Sequence, residues 1–207
     1  MNSLTGPRLR IIVLAAGMSA RLGAPKALAR VRGRSLVERA VRLLGSLGGP
    51  YGGPIIVVTP ANAARIRTEL RHCPVRFAAN PARARGLSTS VRCGLRAARM
   101  GSAALLIPVD LVRLSRRDLV RLIARWRAAP RRVVARCIGP EGGGTPLIVP
   151  HWLFPQALAL SGDRGLKSLV DGWPRARVTL IDLPSAADDV DTPRDLERAR
   201  RRWPAEG

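Results

Sequence analysis

The sequence is poor in the residues from which several protein classes are built. It holds three cysteines, Cys73, Cys93 and Cys137, far apart and without a C-x-x-C, and two histidines, His72 and His151. Such a set contains neither a zinc site nor a disulfide framework, and it implies a reducing, cytoplasmic setting. Aromatic residues make up 3% of the chain, with a single Tyr51 and two Phe. The stacking platforms on which nucleic-acid modules hold bases are therefore missing. Apolar runs such as Ala103–Val109 fall far short of the roughly 20 residues that span a bilayer. Arg8 and Arg10, followed by the apolar stretch from Ile11 to Ala16, mimic a secretory leader, but the stretch is short and reads better as a first strand. Lysine is nearly absent: apart from Lys26 and Lys167, all of the 36 basic residues are arginine.

What is present suits one domain over residues 1–207, with loose ends at 1–9 and 204–207. A chain of 207 residues and 22.3 kDa can bury roughly 70% of its surface around one core. A hydrophobic share of 46% excludes a disordered tail protein. The charge of +22 has two readings. A polyanion partner would gain affinity through counterion release. Alternatively, GC-rich coding writes arginine onto any surface, and the scatter of Arg65, Arg67, Arg71, Arg99 and Arg125 fits that reading, so specific nucleic-acid binding and membrane association are not expected.

Strand-length apolar runs alternate with helical periodicity. Residues 11–14, 55–59, 75–78, 104–109, 133–138, 146–149 and 178–183 are continuous and rich in β-branched residues, the pattern of buried strands. Ser35 with Glu38, and Ser115 with Asp118, form capping boxes ahead of apolar stripes. Thr59-Pro60 and Thr192-Pro193 each set a capping residue before a proline at the first helical position. Alternation of this kind predicts an α/β fold with a mostly parallel, doubly wound sheet, whose ligands sit at the carboxyl ends of the strands.

After the first strand come Ala15, Ala16, Gly17, Met18, Ser19, Ala20, Arg21, Leu22, Gly23, Ala24, Pro25 and Lys26. Small residues let backbone N–H groups approach a polyphosphate, Ser19 adds a hydroxyl, and Arg21 and Lys26 add charge. The loop is neither G-K-[ST] nor G-x-G-x-x-G, and an ordinary turn with two surface bases is the competing reading. The survival of a lysine where nearly all others have become arginine favours a role that a planar fork does not fill.

The run from Leu14 to Lys26 resembles the L-A-A-G-x-S-x-R-x-G-x-x-K signature of the molybdenum-cofactor-type nucleotidyltransferases. Four further segments match in order: Asn80-Pro81 through Arg85-Gly86-Leu87-Ser88 to Leu95, Ile107-Pro108-Val109-Asp110, Ser161-Gly162-Asp163-Arg164-Gly165, and Asp189-Val190-Asp191-Thr192-Pro193 to Leu196. The resemblance implies a three-layer Rossmann-like nucleotidyltransferase fold. It also implies transfer of a nucleoside monophosphate to a small phosphorylated acceptor with release of pyrophosphate. The Ala15-Ala16-Gly17 form is similar to the cytidylyl branch, which implies CTP, the molybdopterin of molybdenum cofactor as acceptor, and a molybdoenzyme or its chaperone as partner. Guanylyl or sugar-phosphate transfer, a non-catalytic accessory role and, less favoured and on the charge of +22 alone, a basic nucleic-acid-binding protein remain as alternatives.

Residue roles follow from the same resemblance. Leu14, Ala15, Ala16, Gly17 and Ser19 are expected around the triphosphate, with Asn80, Gly86 and Ser88 near the base or ribose. Arg21 and Lys26 are expected to stabilise developing charge. Asp110, the first aspartate of the chain, ends a strand; a lone aspartate there is also a turn former, but family usage makes it an Mg2+ ligand. Its partner is expected among the five aspartates between Asp182 and Asp195, with Asp191 first and Asp189 second. Thr145, Asp163 and Arg164 are expected on the acceptor side, and Lys167 is either there or on a helix surface. Ser88, Thr89 or Ser90 is expected to cap the helix that follows Gly86, and residues 142–146 to form a flexible loop. Two departures stand out: the family's Asp-x-Pro reads Asp110-Leu111-Val112, and Thr145 stands where Gly-His-Pro carries histidine.

Overall fold

The computed structural model describes residues 8–47, 53–98, 101–138, 142–162 and 170–202. Seven strands form one sheet: β1 (Leu9–Leu14), β4 (Ile55–Pro60), β5 (Val75–Asn80), β6 (Ala103–Pro108), β7 (Val133–Ile138), β8 (Gly142–Pro150) and β9 (Val178–Ile181). Their order across the sheet is β5-β4-β1-β6-β8-β7-β9. Only β8 runs against its neighbours, so the ends of β1, β6, β7 and β9 share one edge. Each expected strand is present. The fold is α/β, with the mostly parallel sheet that the apolar runs predicted.

Helices cover both faces of the sheet. Leu105, Ile107, Val134 and Ile148 pack on one side with α1 (Leu36–Gly45), α4 (Arg116–Ala128) and α6 (Pro193–Arg202). Ile12, Val58, Leu106 and Leu147 pack on the other with α3 (Leu87–Ala97) and α5 (Phe154–Leu158). A Cβ on Gly94 would lie 2.6 Å from Ile12 Cγ2, so this glycine is what lets α3 seat directly on β1. A short α2 (Ala64–Glu69) and a hairpin of two-residue strands, β2 (Arg30–Val31) and β3 (Arg34–Ser35), complete the described elements. The hairpin turns through Arg32 and Gly33, both at positive φ, and is too short to carry a readable alternation.

Local chemistry explains most helix starts. Ser35 Oγ accepts from the Glu38 N–H at 3.4 Å, Ser115 Oγ from that of Asp118 at 3.1 Å, and Thr192 Oγ1 from that of Asp195 at 3.2 Å. Thr59-Pro60 does not begin a helix. Pro60 is the last residue of β4, in register with Asn80, and α2 starts only at Ala64. A proline at a strand's end forfeits little, which is why the dipeptide fits there as well. The glycine run 142–144 belongs to β8 and is not a free loop, with the ladder shifting register opposite Ala135 and Arg136.

Asp118 does more than cap. Its buried carboxylate accepts from Ser185 Oγ at 2.6 Å and the Ser185 N–H at 3.1 Å, tying the start of α4 to the segment that leads into α6. Removing the carboxylate leaves those half-buried donors without this acceptor, at about 1–3 kcal/mol. Asp118→Ala is therefore expected to lower the urea midpoint by roughly that free energy, whereas an unchanged midpoint would show that the tie carries no load.

Candidate active site

A cleft of about 550 Å³ opens at the carboxyl edge of β1 and β6. Leu14, Ala15, Gly17, Ser19, Arg21, Lys26, Asp110 and Asp191 line it, together with Met18, Leu87, Ser90 and Pro108. The β1 loop folds back on itself because Ser19 takes a left-handed conformation at φ 53°, where its Oγ accepts the Lys26 N–H at 2.9 Å. Gly23 turns the chain again at φ 70°. A Cβ built on Gly17 would meet no protein atom within 4 Å, so the space over it is open to a ligand. Ala16 is buried at 1% exposure in the core below the loop and does not line the cleft.

Lys26 joins three distant parts of the chain. Its ammonium donates to Asp110 Oδ2 at 2.8 Å and to Asp191 Oδ1 at 2.5 Å, and Arg21 Nη2 donates to Asp191 Oδ2 at 3.0 Å. Burial works to discharge Lys26, but the charge of Asp110 and hydrogen bonds to both carboxylates outweigh it and raise its pKa. The hydrogen bond from Lys26 depresses Asp191, against partial burial and with help from Arg21.

The two carboxylates are pinned by backbone. Leu111 and Asp189 form an isolated antiparallel bridge, and the Val190 N–H donates to Asp110 O at 3.2 Å. Val112, in the place of the family's proline, donates its N–H to Asp110 O at 2.8 Å, a bond proline lacks. The departure therefore supplies a tether of its own. Asp189 lines a separate groove with Val112, Asp195 and Arg198. Burial, then Asp110, push its carboxyl to about 6, with Asp191 adding and Arg136 and Lys26 opposing.

A cation already sits where Asp110 and Asp191 converge, and this tests their fitness for a metal. Among the described residues no group of three or more acidic, histidine or cysteine side chains could enclose one. Two carboxylates suit an ion that keeps water and phosphate oxygens as its other ligands, which is the habit of Mg2+.

The segment after β5 differs from expectation. Gly86, at φ 101° and ψ 171°, occupies the cap position of α3, and no side chain caps that helix. Ser88, Thr89 and Ser90 are buried within its first turns, and Thr89 Oγ1 donates back to Gly86 O at 2.8 Å. Asn80 is turned inward. Its amide donates to Thr89 Oγ1 at 2.9 Å and Ser90 Oγ at 3.0 Å, and its Oδ1 accepts the Ala82 N–H at 3.1 Å. Of the three hydroxyl residues it is Ser90 that lines the cleft, while Ser88 is fully buried. The helical phase that sorts them depends on where α3 begins. Thr145 lies on β8, away from the cleft lining, and Asp163, Arg164 and Lys167 fall outside the described residues.

The shifted carboxylate sets an acid limb of stability. Because Asp191 is depressed in the folded protein, its contribution is complete above the ordinary 3.8 and is lost as pH falls through the folded value. Ligand-free protein is expected to lose stability below about pH 4 more steeply than Lys26→Met does. Parallel urea midpoints for the two proteins would refute the coupling.

The chain is similar to known proteins along most of its length. Nicotine blue oxidoreductase of Paenarthrobacter nicotinovorans is 32% identical over 197 residues, covering 90% of this chain and 94% of that protein. A nucleotidyl transferase from Methanothermobacter superposes with a TM-score of 0.78 at 24% identity, over 95% of this chain and 97% of that one. Rv0371c of Mycobacterium tuberculosis in complex with manganese gives a TM-score of 0.71 at 23% identity, over 95% and 100% of the respective chains. These two structural likenesses are likenesses of fold. Residues 11–178, from within β1 to the first residue of β9, match one family along their length, and the chain belongs to the MobA-like NTP transferase domain family.

Proposed function

We propose that the cleft transfers a nucleoside monophosphate, CMP from CTP, to the terminal phosphate of a small anionic acceptor such as molybdopterin. The observation that carries this reading is the Lys26 ammonium held between Asp110 and Asp191 beside the open face of Gly17. In the reaction an acceptor phosphate oxygen forms a bond to the α-phosphorus, and the bond from that phosphorus to the β-phosphate bridging oxygen breaks, releasing pyrophosphate. No covalent work falls to the protein, so its residues position and neutralise. The loop N–H groups around Gly17 and Ser19 cradle the triphosphate, and Arg21 and Lys26 offset charge on the leaving pyrophosphate. Asp110 and Asp191 would hold Mg2+, which supplies neutralisation of the phosphate oxygens when bound. Gly86 and Ser90, oriented by Asn80, border the nucleoside, with Ser88 behind them. Thr145, Asp163 and Arg164 belong to the acceptor side in this proposal, whose setting is the cytoplasm and whose partner is a molybdoenzyme or its chaperone.

The test is a panel of CTP, GTP and ATP with molybdopterin and Mg2+, read as pyrophosphate release. CTP is expected to lead. Asp110→Ala and Asp191→Ala are each expected to lower kcat/KM at least tenfold, about 1.4 kcal/mol or more of transition-state stabilisation. Full turnover in Asp110→Ala would falsify its role.

The relative that shares 32% identity over nearly its whole length is named an oxidoreductase, and this favours one second reading. In it the β1 loop would hold the pyrophosphate of a nicotinamide dinucleotide, and the cleft a planar heteroaromatic acceptor. Nucleotide-dependent bleaching of nicotine blue by NADH or NADPH, without pyrophosphate release from any triphosphate, is the outcome this reading requires.

A further inference from the structure

Of the four carboxylate oxygens that Asp110 and Asp191 carry, three already accept N–H donors. Lys26 Nζ donates to Asp110 Oδ2 at 2.8 Å and to Asp191 Oδ1 at 2.5 Å, and Arg21 Nη2 donates to Asp191 Oδ2 at 3.0 Å. Two carboxylates thus face two cations, and the four charges cancel before any ligand arrives. The side chains of Lys26 and Asp110 are 16% and 19% exposed, so water screens their contact little, whereas Arg21 at 73% lies in solvent. The ammonium is therefore the cation that an incoming ion must contend with. A divalent ion gathered by both carboxylates needs the oxygens that the ammonium holds, and beside the ammonium it meets like charge.

Lys26 can give up this position without moving the loop. Its N–H donates to Ser19 Oγ at 2.9 Å, and its carbonyl accepts from the Ala29 N–H at 3.0 Å across the single 3-10 turn Lys26–Leu28. With the backbone fixed on both sides, only the flexible four-carbon stem has to turn. Ser19 and the open face of Gly17 line the same cleft. Phosphate oxygens held there offer the ammonium a second set of anionic partners. Once the ammonium has turned to them, the two carboxylates keep one exposed arginine and a net negative charge, which attracts a divalent ion.

We propose that the Lys26 ammonium occludes the Asp110–Asp191 pair in the ligand-free chain, so that a free divalent cation is excluded and enters together with a polyphosphate. The inference rests on the nucleotidyl-transfer reading for the identity of that polyphosphate as a nucleoside triphosphate. The occlusion itself stands on the contacts of Lys26.

Mn2+ is the probe, followed by water-proton relaxation, which reports the protein-bound ion. Without nucleotide, the wild-type chain is expected to bind Mn2+ at least tenfold more weakly than Lys26→Met, and equal affinities overturn the proposal. The gain must belong to the carboxylates. Lys26→Met combined with Asp110→Asn is expected to return to the wild-type affinity, and a gain that persists there overturns the proposal as well. Inorganic tripolyphosphate supplies a test that needs no variant to fold. The wild-type chain is expected to bind the Mn2+–tripolyphosphate complex at least tenfold more tightly than Mn2+ alone, and equal binding of the two overturns the exclusion. In Lys26→Met that preference is expected to fall at least fivefold; an undiminished preference shows that Lys26 does not couple the two ligands, and overturns the proposal. None of these measurements needs turnover. A nucleotide panel without pyrophosphate release defeats the transfer reading alone, and the Mn2+ comparison still decides the occlusion.

Discussion

The Lys26 ammonium is the point on which the site depends. It lies 2.8 Å from Asp110 and 2.5 Å from Asp191, residues 84 and 165 positions away, and so fastens the β1 loop to the end of β6 and to the approach to α6. Two carboxylates meeting in a half-buried cleft repel one another, and a compact cation between them removes the repulsion. An arginine would meet one carboxylate with both prongs of its fork, whereas an ammonium can be shared as a point. That difference is a physical reason for a lysine here in a chain whose coding otherwise prefers arginine. It also relates the ligand-free protein to the proposed reaction, because a group that balances two carboxylates can turn to phosphate oxygens once another cation takes its place between them.

The carboxylates could not serve unless both were held still. Asp110 inherits its position from β6, in the middle of the sheet. Asp191 has no strand of its own, and its placement is assembled from local bonds. Asp118 grips Ser185, Leu111 bridges Asp189, the Val190 N–H reaches Asp110 O, and Asp195 Oδ2 accepts the N–H groups of Asp191 and Thr192 at 3.2 and 2.9 Å. The bond from Val190 to Asp110 joins the two segments directly, so displacement of one is felt by the other. Val112 fits this arrangement: where a proline would stiffen the turn through its ring, valine closes it with a hydrogen bond.

Much of this was legible in the sequence, for reasons that also explain what was not. The strands could be read because a doubly covered parallel sheet needs unbroken apolar runs, and Ile11–Leu14 or Leu105–Ile107 have no other use. The caps at Ser35, Ser115 and Thr192 rest on contacts three residues apart and carry their own signal. Lys26, Asp110 and Asp191 stood out as exceptions to an arginine-rich, acid-poor background. Thr59-Pro60 failed because the same dipeptide suits a strand end. The sorting of Ser88, Thr89 and Ser90 failed because Gly86 itself takes the cap position, which shifts the helical phase and leaves each hydroxyl with a different neighbour.

The walls of the cleft bear on the choice between the two readings. Met18 and Leu87 are 60% and 47% exposed, among the few large apolar side chains left open to solvent in the described residues, and both line the cleft. Exposed apolar surface beside the β1 loop favours a ligand with an apolar or planar portion. A nucleobase with a pterin provides that, and so does a nicotinamide with a heteroaromatic dye, so these walls do not separate transfer from reduction. The carboxylate pair does. Hydride transfer between two rings calls for stacking and a donor to polarise the acceptor, and gives no work to two carboxylates gathered on one cation. Moving charge among phosphates does require it, because oxygens on both sides of the breaking bond must be neutralised while they are held in line. The convergence of Asp110 and Asp191 on Lys26 therefore weighs toward transfer, even though a relative matched over nearly its whole length carries an oxidoreductase's name.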